Sequence, residues 1–283
     1  MKDNFIAQSF GKSQNYTDIP NQLYKEYNVK KGLRNEDGTG VRVGLTRVSD
    51  VVGYDLVDGV KTNVAGRLYY RGYDIVDIAA ARAKDAVGYE EVMFLLLFGF
   101  LPSKREFDNF NDILRDMYAL PNDFLEMNLL RMPAQNLMNK LQHAVLTLYN
   151  YDEDPDNVEV YSTLLKGLDI TAKLPSIMCY AYQSKMHYFN RESLVIHYPM
   201  KKYSIAENIL YMLRENRQFS AKEASLLDTI LVLQADHGGG NNSTFANVVV
   251  SSTGTDIYSS IAAAIGSLKG PKHGGANIQV SNM

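Results

Sequence analysis

The chain has 283 residues, 46% of them hydrophobic and 22% charged, the balance of an ordinary soluble globular protein with room for a sizeable core. A formal net charge of -3 leaves no basic footprint for nucleic acid, and apolar runs such as Val92 to Leu101 are too short to cross a bilayer. One cysteine, Cys179, excludes an internal disulfide framework and fits a reducing compartment. Met1 to Ile6 holds no apolar core of signal-peptide length, so the cytoplasm is the expected location.

Residues 1 to about 30 are polar and weakly periodic, an arm or a few short helices, with Gln22 to Tyr27 able to turn once. From Gly32 to Tyr73, glycines punctuate β-branched runs such as Val41 to Val43 and Val48 to Val52. That pattern predicts extended segments and small hairpins, a strap around a helical body. Arg67 and Arg71, within Gly66 to Tyr73, suit either an anion or a structural pairing.

From Asp74 onward nearly everything reads as helix. Ser103-Lys-Arg-Glu106, Ser204-Ile-Ala-Glu207 and Ser220-Ala-Lys-Glu223 are capping boxes, in which hydroxyl and carboxylate each take the other residue's backbone amide. Phe107, Phe110, Leu114 and Met117 share one helical face, as do Leu137, Leu141, Val145 and Leu148, the latter ending in turn chemistry between Asn150 and Pro155. Pro175 falls inside a helical run and predicts a kink or a break. The apolar surroundings of Cys179 predict a buried, inert thiol. Ile257, Ile261, Ile265 and Leu268 form the last stripe, stopped by Gly270-Pro271. Ala276 to Met283 reads as the opening of another helix.

The candidate chemistry concentrates between Leu231 and Asn277. Gln234-Ala-Asp-His-Gly-Gly-Gly-Asn-Asn-Ser-Thr-Phe245 and Lys269-Gly-Pro-Lys-His-Gly-Gly-Ala-Asn277 each end an apolar helical pattern and set a histidine among glycines and asparagine. Glycine lets backbone approach a ligand closely, and an imidazole beside such a turn suits a small polar substrate. His143, beside an apolar stripe, reads as a structural helix histidine; His187 and His197, flanked by aromatics, need no chemistry to explain them. His237 and His273 are the functional candidates. His237-Gly-Gly-Gly240 also matches an esterase oxyanion-hole phrase, but the chain has no Gly-x-Ser-x-Gly elbow. A metal site would want three or four close ligands, which Asp236, His237 and His273 do not supply by spacing, so no metal is expected. The stretch from Gly266 to Lys272 lacks the Gly-Lys-[Ser/Thr] ending of a phosphate loop.

The two histidine blocks, with Ser252-Thr-Gly-Thr-Asp-Ile-Tyr-Ser-Ser260 between them, resemble citrate synthase. The resemblance extends upstream through Met132 to Pro155, Leu97-Phe-Gly-Phe-Leu-Pro102 and Gly66-Arg-Leu-Tyr-Tyr-Arg-Gly-Tyr-Asp-Ile75, to about Gly32. It implies a mainly α, multi-helical large domain with a short extended or hairpin N-terminal segment, in a homodimer that condenses acetyl-CoA with oxaloacetate to citrate and CoA in the tricarboxylic acid cycle. No cofactor is implied, since acetyl-CoA is a substrate. His273 then matches the histidine that hydrogen-bonds the thioester oxygen as the enol forms, and His237 one that holds oxaloacetate. Asn241 and Ser243 match substrate-binding positions beside these imidazoles and are expected to fix their orientation. Gln234 stands where many relatives have histidine. The family's carboxylate base, third histidine and arginine clamp follow the Gly-Gly-Ala-Asn block, in a small domain. The expected division is therefore residues 1–275 as the large helical domain, including the arm and short β segments of 1–73, and 276–283 as the start of a small domain absent here, leaving a truncated chain that is inactive alone. The alternatives are a 2-methylcitrate synthase using propionyl-CoA, or a non-catalytic dimerising helical protein of the same fold.

Overall fold

The computed structural model describes residues 20–27, 46–57, 60–82, 87–238, 240–271 and 273. The predicted arm over 1–19, the run Val41 to Val43 and the final helix from Ala276 lie outside them. The chain divides into two compact units, residues 1–42 and 43–283. In the first, α1 (Asn21–Glu26) is the predicted single turn, opened by Pro20.

The second unit begins with a three-stranded antiparallel sheet in the order β1 (Ser49–Val57), β2 (Val60–Tyr70), β3 (Tyr73–Asp74). The extended pattern around the glycines thus becomes one long hairpin, with an irregularity in register between Val52 and Tyr54 where Gly53 stands. Tyr70 pairs with Tyr73 across a two-residue loop whose members both have positive φ, Arg71 at 50° and Gly72 at 91°. That is the mirror-image turn that suits the twist of paired strands. Arg71 accepts the strain and uses its guanidinium elsewhere: Nε and Nη2 donate to the Leu96 carbonyl at 3.1 and 2.6 Å. Arg67 pairs with Asp74 at 2.9 Å. Both arginines are structural pairs.

The helices follow in the predicted manner: α2 (Ile75–Arg82), α3 (Gly88–Phe98), α4 (Lys104–Asp116), α5 (Leu137–Leu148), α6 (Val160–Asn190), α7 (Ile205–Leu213), α8 (Ala221–Leu233), α9 (Asn242–Ser251) and α10 (Ile257–Leu268). A π-helical segment, Leu125–Leu130, and a 3₁₀ turn, Tyr149–Tyr151, bracket α5. All three capping boxes form, with the serine hydroxyl and the glutamate carboxylate both engaged, at the starts of α4, α7 and α8.

The central element is α6, 31 residues and so about 46 Å long at 1.5 Å per residue. Pro175 does not break it. Proline removes one backbone bond, but here Ala172, Ser176, Ile177 and Cys179 are buried on both sides of it. That burial holds the two halves in one helix. Around α6 a core forms from Phe110 and Leu114 of α4, Phe124, Leu125 and Leu129, Val145 and Leu148 of α5, Ile205 and Met212 of α7, and Tyr258 of α10. A second cluster joins Tyr70 of the sheet to Ile75 and Ile78 of α2, Val92 and Leu95 of α3, and Val232 of α8. The base of the hairpin is therefore strapped onto the end of α8, the helix that leads into the first histidine block.

Candidate active site

The apolar pattern of α8 stops at Leu233, and the chain then turns through Asp236. The Asp236 carboxylate accepts the amides of His237 and Gly238 at 2.6 and 3.1 Å, a local turn that aspartate makes with its own following backbone. Gly238 is buried with φ at +94°, and a Cβ there would stand 3.8 Å from the Ser49 carbonyl of β1. The block is therefore laid against the strand, and its glycine is required by the left-handed backbone. His237 itself is exposed.

Asn241 caps α9. Its Oδ1 accepts the Ser243 amide at 2.8 Å and also the Ser243 hydroxyl. The next residue, Asn242, donates its side-chain amide to the Ser267 carbonyl at 3.1 Å, in the last turn of α10. Because α9 and α10 pack on one another, that bond brings the start of α9 beside the end of α10. His273 follows that end, in a turn where its amide donates to the Gly270 carbonyl at 3.0 Å, and its side chain is exposed. The first block thus runs into the start of a helix whose neighbour leads, past Ser267, into the second block, with the two histidines 36 positions apart in sequence (273 - 237).

Of the four site residues expected from sequence, the structure joins Asn241 to Ser243 directly. Among the described residues neither imidazole has a side-chain hydrogen-bond partner. Gly239, Lys272 and residues 274–283 lie outside the described residues. No group of three or more His, Cys, Asp or Glu among the described residues is placed to hold a metal, and no described helix is long and apolar enough to cross a membrane.

Two of the other histidines, His187 and His197, have ring nitrogens engaged with the body. His197 is buried, its Nδ1 accepting from Arg217 Nε at 3.1 Å and its Nε2 facing the Glu215 carbonyl at 3.1 Å. His187 Nδ1 meets the Glu192 carbonyl at 2.9 Å. His143 is exposed, and desolvation followed by the charge of Lys140 holds its pKa below the ordinary value. Sequence reasoning passed over Tyr70 and Asn242, whose polar groups tie the first block to the sheet and to α10. The signal for Tyr70 was the Tyr-Arg-Gly-Tyr phrase, which marks a two-residue hairpin loop and so fixes which tyrosine ends the strand.

The mainly helical fold matches solved citrate synthases. The structure titled as the ternary complex of carboxymethyl coenzyme A and oxaloacetate with citrate synthase from Thermoplasma acidophilum matches with a TM-score of 0.69 and 25% identity, covering 83% of this chain and 56% of that one. The chain belongs to the citrate synthase family, whose model, described as "Citrate synthase, C-terminal domain", matches residues 35–283. Citrate synthase of Haloferax volcanii is 40% identical over 259 residues, 90% of this chain and 61% of its own length. A 2-methylcitrate synthase of Mycobacterium tuberculosis is 34% identical over 254 residues, 88% of this chain and 56% of its own. The chain thus spans about 60% of the length of the curated relatives it matches.

Proposed function

We propose that this chain carries part of the acetyl-CoA- and oxaloacetate-handling machinery of a citrate synthase. The observation that carries the reading is the hydrogen bond from Asn242, inside the first histidine block, to the Ser267 carbonyl in the last turn of α10, the helix that leads into the second. In the reaction a carboxylate removes a proton from the acetyl methyl, and the enol carbon attacks the ketone of oxaloacetate. Water then cleaves the thioester, releasing citrate and CoA. The part assigned to His273 is donation to the thioester oxygen while negative charge builds there, the interaction that lowers such a barrier most. His237 is assigned to oxaloacetate. Asn241 and Ser243 are assigned to the substrate as well, at the N-terminal turn of α9, an end of a helix that favours an anion. The chain is read as a homodimeric, cytoplasmic protein of the tricarboxylic acid cycle. The name of the Mycobacterium tuberculosis relative supports a second reading, 2-methylcitrate synthase with propionyl-CoA as the acyl donor.

The test is CoA release with a thiol reagent, offering acetyl-CoA or propionyl-CoA with oxaloacetate, on the chain extended to the length of its relatives, together with direct titration of oxaloacetate. His273→Ala is expected to lower turnover by about 10²- to 10³-fold, the scale of losing one oxyanion donor. His237→Ala is expected to weaken oxaloacetate binding. A wild-type chain that neither binds oxaloacetate nor releases CoA would sink the reading, as would variants that behave like wild type. The faster acyl donor decides between the two synthases.

A further inference from the structure

One hydroxyl fastens the loop that carries His237 to the sheet. Tyr70, the last residue of β2, is fully buried. Its hydroxyl lies 2.9 Å from the Val232 carbonyl and 3.1 Å from the Asp236 carbonyl, and it accepts the Asp236 amide at 3.1 Å. A single phenol therefore meets both the last turn of α8 and the backbone directly before His237. The Asp236 carboxylate takes over one residue later, accepting the His237 and Gly238 amides. Gly238 then lies against β1. Tyr70 is itself held in place by the positive-φ turn that follows it, whose Arg71 grips the Leu96 carbonyl of α3.

A residue needed only to fill this core would be phenylalanine, because burying a hydroxyl costs free energy unless its bonds are remade. Here they are remade, and on the candidate catalytic loop. We propose that Tyr70 is a positioning residue for His237, holding the Asp236–Gly238 backbone so that the imidazole is presented to a dicarboxylate already ordered. The ligand in this statement rests on the reading of His237 as an oxaloacetate residue. The tether to the loop does not. An exposed histidine on an untethered link would have to be ordered on binding, at the expense of affinity.

Tyr70→Phe keeps the ring and removes only the hydroxyl. In amide hydrogen exchange, Asp236, His237 and Gly238 are expected to exchange about tenfold faster in the variant, the loss of one ordinary net hydrogen bond, while α6 keeps its protection. Oxaloacetate binding is expected to weaken about tenfold, with little change in melting temperature. Binding equal to wild type in a folded variant would overturn the proposal, as would a loss of binding that only follows a lowered melting temperature. The wild-type chain gives a reading that no variant's folding affects: its Asp236 amide must be protected, and exchange at the rate of an unstructured peptide overturns the tether. Asp236→Ala leaves all three backbone groups that Tyr70 meets, so the amide at 236 should stay protected there; exchange at the unstructured rate would also overturn the tether. If the exchange pattern follows expectation but wild type takes up no oxaloacetate, the tether stands and the dicarboxylate reading of His237 fails.

Discussion

Gly238 shows how much of this site is decided by a single residue. Its φ of +94° lies where an L side chain is strained, and its neighbours are the Ser49 carbonyl and Val51 of β1. Gly238→Ala is expected to cost about 1–2 kcal/mol in urea unfolding, from the left-handed backbone and not from collision. A cost near zero would mean that the loop simply re-forms with another φ. Cys179 sits at the opposite extreme. Burial pushes its thiol up to about 12, and its Sγ lies 3.9 Å from the Ile209 carbonyl. A thiol reagent should therefore leave the folded chain unmodified and react once it is unfolded. Prompt modification of the native chain would contradict the burial and would also add background to a CoA-release assay. Both residues were legible in sequence, because glycine beside histidine and cysteine among apolar neighbours are local patterns. The pairing of His197 with Arg217 was not, since the partner lies 20 positions away (217 - 197), across α7.

At the scale of elements the three capping boxes were readable to the residue, because the signal and the structure it makes span the same four positions. The start of α8 is the most consequential, since that helix delivers the chain to His237. There Glu223 serves both Ser220 and Arg214, the latter at 2.6 Å, and these bonds, the Arg214 one foremost, hold its carboxyl down to about 2. Ser220→Ala is expected to destabilise the protein by about 1 kcal/mol, the usual cost of a lost N-cap. Early hydrogen exchange should increase near Ala221 and not near His237; a change confined to the His237 end would contradict the assignment. Pro175 marks the limit of reading elements from sequence. Its local cost in a helix, about 3 kcal/mol, predicts an interruption. What outweighs that cost is burial of α6 by residues from α4, α5 and α7, and no window along α6 contains them.

Across the whole molecule, buried carboxylates link the helices through their N-terminal amides. Asp228 of α8 accepts the Gly88 and Tyr89 amides at 2.9 and 3.0 Å, capping α3 from outside. Glu90 of α3 in turn accepts the Ile205 amide of α7 at 2.7 Å. Its other oxygen is buried and, among the described residues, has no partner. Burial, with the charge of Asp228 adding to it, raises Glu90 to about 7 despite the Ile205 bond. The sign follows directly. Between the ordinary glutamate value of 4.5 and about 7 the folded chain holds a proton that the unfolded chain has lost, so stability falls as pH rises through that window and then levels. At 1.36 kcal/mol per unit the penalty in full is about 3 kcal/mol. Glu90→Gln keeps an acceptor for Ile205 and cannot ionise. Urea unfolding should find it close to wild type at pH 5 and more stable by about 2–3 kcal/mol at pH 8, where wild type has lost the proton. Equal pH dependence in the two proteins would mean that Glu90 ionises without penalty, with water reaching the oxygen now assigned to the interior of the α3, α7 and α8 junction.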